Sequence, residues 1–88
     1  MKLVVVILND VDAEGVLRRL VEAGYRATRI SSTGGFLRRG NTTLLMGMED
    51  DKVEGALDVI RANTQPPVDA GQRRATIFVL NLSRYEQV

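Results

Sequence analysis

The sequence predicts an α+β domain with the order strand-helix-strand-strand-helix-strand, and three observations lead there. Apolar, β-branched runs stand near both ends, Leu3–Leu8 (LVVVIL) and Ala75–Leu82 (ATIFVLNL). Between them, two segments repeat apolar residues at the spacing of one helix face. With 88 residues the chain has room for one small domain, residues 1–88, and for only a thin core.

Each element has its own reason. Leu3–Leu8 is continuously apolar, as expected of a central strand buried on both faces. Asp10 or Asp12 can cap the helix that follows. In that helix Ala13, Val16, Leu17, Leu20 and Val21 fall on one face, and Glu14 precedes Arg18 by one helical turn on the wet side. Gly24 is placed to end the helix in a left-handed conformation. Tyr25–Ser32 (YRATRISS) alternates polar and less polar residues and reads as a second strand. Thr42–Met48 (TTLLMGM) reads as a third. Glu49, Asp50 and Asp51 suit the positive N-terminus of a second helix, whose core stripe is Val53, Ala56, Leu57 and Ile60. Asn63–Arg74 (NTQPPVDAGQRR) has two prolines, a glycine and no periodicity, and is a loop. The last strand, Ala75–Leu82, leads into a short polar tail, Ser83–Val88. This order is the split, ferredoxin-like βαββαβ arrangement, an antiparallel sheet with both helices on one face.

Two helices leave the other face of a four-stranded sheet uncovered. Yet the strands carry apolar residues on both sides: Val4 and Val5, Leu44 and Leu45, Phe78 and Val79. A second copy of the chain is the expected cover, with a partner protein or a tolerated apolar patch as the alternatives.

Composition excludes several classes of chemistry. The chain has no Cys and no His, so thiolate catalysis, disulfides and the commonest general base and metal ligand are absent. A net charge of +1 does not indicate a large nucleic-acid footprint. The four aromatics, Tyr25, Phe36, Phe78 and Tyr85, form no recognisable RNA-stacking motif. The apolar run Leu3–Leu8 is too short to cross a membrane, and no cleavage site follows it, so a cytoplasmic protein is expected. No enzyme is expected. Asp10 and Asp12 could hold a metal, but carboxylates beside a helix start more often cap it; no metal site and no cofactor is assigned.

The segment Thr33–Thr43 (TGGFLRRGNTT) is richer than a connecting turn needs. Its Gly35-x-x-x-x-Gly40-Asn41-Thr42 pattern imitates a P-loop, but Asn41 stands where the phosphate-gripping lysine belongs, and a strand follows instead of a helix. Gly34 and Gly35 allow close approach of a ligand to backbone N–H groups. Phe36 and Leu37 offer an apolar wall, Asn41 a donor and an acceptor, and Arg26, Arg29, Arg38 and Arg39 positive charge. A flat ring bearing phosphate fits that set. A tight hairpin with Phe36 in the core fits it too, and the residues alone leave both open.

The same residues carry a resemblance. Asp10 and Asp12, Arg26-Ala27-Thr28, Ser32–Arg38 (STGGFLR), Gly40–Thr43 (GNTT) and Gly47 make residues 1–62 similar to the PII-like cyclic di-AMP receptors, a family of signal-transduction proteins. Residues 75–82 and Gln87 match that family's last strand and tail less closely. The resemblance implies a homotrimer of ferredoxin-like subunits with ligand sites between neighbours, and an unidentified protein target. Cyclic di-AMP is the ligand expected first. By position, Arg26 and Thr28 would meet phosphate or ribose. Phe36, Leu37, Asn41 and Gly47 would shape the adenine pocket, Gly35 would lie against the ligand, Gln87 would reach in from the tail, and Phe78 would join the pocket wall. The sequence departs from the family at Gly24, where Asn is common, and in the short Asn63–Arg74 connection, where the family has a long arm. The alternatives are a PII-like trimer that binds another nucleotide or a small anion, and a structural trimer that has lost its ligand.

Overall fold

The computed structural model describes residues 1–30, 40–65 and 73–88. The elements are β1 (Lys2–Asn9), α1 (Asp10–Glu22), β2 (Thr28–Ile30), β3 (Asn41–Met48), a 3-10 turn (Asp50–Lys52), α2 (Val53–Ala62) and β4 (Ala75–Asn81). The sheet order is β2-β3-β1-β4 with every neighbouring pair antiparallel, as a ferredoxin-like fold requires.

The pairing register decides which residues share a face. Val4, Val6 and Leu8 of β1 lie opposite Met46, Leu44 and Thr42 of β3. These six side chains are buried, and their apolar members join Ala13, Val16 and Leu20 of α1 and Val53, Ala56, Leu57 and Ile60 of α2 in one core. Both helices therefore cover the same face. The alternate residues point the other way. Leu3, Val5, Ile7 and Leu45 are only half-buried, while Phe78 and Leu80, opposite Val5 and Leu3, are about half exposed, at 49% and 50%.

Four local expectations change. The second strand begins at Thr28 and not at Tyr25, because Tyr25 is still engaged in closing α1; its described ladder is Thr28–Ile30, and Ser31 and Ser32 lie outside the described residues. Neither Asp10 nor Asp12 caps α1, whose N-cap is Asn9 without a side-chain bond. Asp10 instead accepts a hydrogen bond from the hydroxyl of Thr42, and the buried Asp12 accepts one from the backbone N–H of Gln65 at 3.4 Å. Glu14 pairs with Arg29 of β2 at 3.0 Å and not with Arg18. Val21, read as core, is 58% exposed, since the buried stripe of α1 runs through Ala13, Val16 and Leu20.

Candidate functional site

The end of α1 sets the site. Gly24 has φ +92°, a left-handed value that glycine adopts at little cost. Its N–H donates to Val21 O at 3.0 Å, and the N–H of Tyr25 donates to Leu20 O at 2.9 Å. That bond pair is a Schellman closure. The chain leaves it along Arg26 and Ala27 and enters β2 at Thr28.

Thr28 lies opposite Leu45, and Gly47 opposite Leu3, all on the face of the sheet away from the helices. The tail folds back over this corner. The N–H of Leu82 donates to Met1 O at 3.0 Å, and the Tyr85 ring stands so close over Gly47 that a Cβ there would meet it at 3.5 Å. The result is a cleft of about 800 Å3, within the usual range for small-molecule sites. Arg26, Thr28, Lys52, Tyr85 and Gln87 are on its walls, with Gly47 between them.

The charges in the cleft point to an anion. Among the described residues, neither Arg26 nor Lys52 has a carboxylate within 4.0 Å, whereas Arg29 is held by Glu14. Glu49 is also in the wall, so the cleft is mixed with an excess of positive charge. At the rim, the amino group of Met1 sits 3.1 Å from Asp50 and holds that carboxyl below its ordinary pKa of 3.8 by hydrogen bonding, with Lys2 adding to the effect. Among the described residues no cluster of His, Cys, Asp and Glu could hold a metal ion, and no helix is long and apolar enough to cross a membrane.

Four sequence-predicted site residues thus meet at one cleft: Arg26, Thr28, Gly47 and Gln87. Asn41 does not join them. It lies opposite Asn9 at the far end of β3, six residues from Gly47, or about 20 Å at the usual strand rise. Its end of the strand is tied to α1 through the Thr42–Asp10 hydrogen bond and an Asp10 N–H bond to Gly40 O at 2.8 Å. Gly35, Phe36 and Leu37 lie outside the described residues, as do Arg38 and Arg39. Phe78 is on the same open face as Gly47 but not in the cleft wall. Sequence reasoning did not select Tyr85, Lys52 or Tyr25. Tyr85 carried a signal, as one of four aromatics in a chain whose tail already contained a candidate contact.

Comparison with known proteins bears on the family and the fold. A family model described as "Cyclic-di-AMP receptor" matches residues 1–66. A solved structure described as a functionally unknown protein from Pediococcus pentosaceus is 34% identical, with a TM-score of 0.79. The match covers 99% of this chain and 96% of that one, so the two are close in length.

Proposed function

The chain belongs to the cyclic-di-AMP receptor family, and on that premise we propose that it is a cytoplasmic signalling protein that binds cyclic di-AMP at clefts between the subunits of a homotrimer. It acts by binding and not by turnover; a protein target reads the occupied state. One observation carries the intersubunit reading. Expected contacts fall in two groups, with Arg26, Thr28, Gly47 and Gln87 at one end of the sheet and Asn41 at the other. A single ligand touches both groups only when the second comes from a neighbouring copy. The apolar face on which Phe78 and Leu80 are exposed offers the surface for that neighbour.

Within the cleft the chemistry divides by residue. The Arg26 guanidinium and Lys52 ammonium suit a phosphate, the Thr28 hydroxyl a phosphate or ribose oxygen, and the Gln87 amide a base edge. The Tyr85 ring is a flat wall for stacking.

Calorimetric titration with cyclic di-AMP, alongside ATP and cyclic di-GMP, tests the proposal, with sedimentation giving the assembly state. The expected result is a trimer that takes up one cyclic di-AMP per subunit. Charge-assisted hydrogen bonds contribute about 1.5–3 kcal/mol, so Arg26→Ala should weaken binding about ten- to a hundredfold, and Asn41→Ala should also weaken it. No heat and no thermal shift from a folded trimer would overturn the assignment. Preference for ATP would move it to a different nucleotide.

A further inference from the structure

We propose that Tyr25 is a positioning residue that aims Arg26 into the cleft, and that Gly55 is the notch that allows it to do so. This rests on the reading of Arg26 as a ligand contact.

Arg26 is exposed, and residues 25–27 belong to no strand. A cation on such a segment would sample many directions, and ordering it on binding costs affinity. The structure holds the segment from three sides. The main chain of Tyr25 closes α1 through its bond to Leu20 O at 2.9 Å. Thr28 enters the ladder opposite Leu45. Between these, the Tyr25 side chain crosses to α2: its ring packs against the core, and its hydroxyl donates to Lys52 O at 3.2 Å.

Gly55 explains how the ring fits. Glycine in a helix interior is unfavourable relative to alanine, and Gly55 lies inside α2, where its left-handed freedom has no use. What it supplies is space, since a Cβ on Gly55 would collide with the Tyr25 hydroxyl. The next nearest atom, Tyr25 Cζ, would be at 3.7 Å, an ordinary contact. The conflict therefore involves one oxygen atom. The clamp has a second effect. Lys52, whose carbonyl receives the hydroxyl, also lines the cleft. Because the bond is to the Lys52 backbone, it anchors the Arg26 segment to this corner of the cleft.

The test is a set of variants: Gly55→Ala, Tyr25→Phe, the two combined, and Gly55→Ala in an Arg26→Ala background. Affinity for cyclic di-AMP is read by calorimetry and the mobility of the Arg26 and Ala27 amides in the ligand-free protein by NMR relaxation. Gly55→Ala should weaken binding about tenfold and loosen both amides. Tyr25→Phe keeps the ring and should cost about threefold. Adding Tyr25→Phe to Gly55→Ala removes the colliding oxygen and should restore binding to the Tyr25→Phe level. With Arg26 already removed, Gly55→Ala should change affinity less than twofold. A merely structural role for Tyr25 would give neither the restoration nor the dependence on Arg26. Unchanged binding in Gly55→Ala, or an equal loss without Arg26, would overturn the proposal. If the wild-type protein takes up no cyclic dinucleotide, the functional reading fails alone. The relaxation measurement then decides the clamp: unchanged Arg26 and Ala27 mobility in Gly55→Ala refutes it, and loosening that Tyr25→Phe reverses supports it.

Discussion

The two faces of the sheet use the same kind of residue for different ends. On the helix side Val4, Val6, Leu44 and Met46 are at most 1% exposed, and their packing against α1 and α2 holds the subunit together. On the other side Leu3, Val5, Ile7, Leu45, Phe78 and Leu80 are equally apolar but half-buried or exposed in the single chain. β1, β3 and β4 thus carry apolar residues on both faces. One face builds the core, and the other is the one proposed above for association and, at its corner, for ligand.

Substitutions on the two faces should separate these roles. The largest effect on stability is expected at Leu44, fully buried among core side chains. Leu44→Ala should cost about 2–5 kcal/mol in denaturant unfolding; a cost below about 1 kcal/mol would mean that the covered face is not the main source of stability. Next comes Leu80→Asp on the open face, where 50% exposure makes the charge tolerable to the isolated subunit. It should yield a folded monomer in sedimentation, and a variant that stays trimeric would move the interface elsewhere. Gly47→Ala is a finer probe. Its Cβ would meet Tyr85 and Leu82 at 3.5 and 3.8 Å, ordinary contacts. Replacing a strand glycine by alanine is favourable by about 0.5–1 kcal/mol, so unfolding should be unchanged or slightly harder while cyclic di-AMP binds less tightly. Unchanged binding would remove Gly47 from the site.

The smallest effect concerns neither face. Asp50 is exposed, and its carboxyl is held below the ordinary value of 3.8 chiefly by the Met1 amino group. A carboxyl whose folded pKa is depressed adds stability above its unfolded pKa and loses that contribution as pH falls through the lower folded value. Thermal unfolding of Asp50→Asn should therefore show a slightly shallower loss of stability below about pH 4. An unaltered acid slope would mean that solvent screens the pair completely.

Much of the fold was legible because burial and periodicity coincide. Val53, Ala56, Leu57 and Ile60 follow helical spacing and are buried, and the apolar runs marked β1, β3 and β4 to within a residue or so. Interactions between distant residues were not legible in that way. Val21 sits at helical spacing from Leu17 yet is exposed, because the sheet meets a narrower stripe of α1 than the sequence offers. Asp12 looked like a cap and is instead buried against Gln65, which lies 53 residues away. In the cleft, Arg26, Thr28, Gly47 and Gln87 were found through resemblance; spacing alone did not distinguish Arg26 from Arg29. The structure does so, because Glu14 neutralises one and not the other. The Tyr25–Gly55 contact left a single trace in the sequence, a glycine in the first turn of α2.

The position of β1 has a consequence for how the protein comes into being. β1 is central in the sheet, and it is hydrogen-bonded along β4, with Lys2 facing Asn81. A nascent chain therefore exposes the open edge of a strongly apolar strand until β4 has left the ribosome as well. Closing a loop of that length precedes any reward from the pairing. The sheet should therefore close only once β4 is available, with the edge of β1 as the segment most in need of a chaperone in the interval.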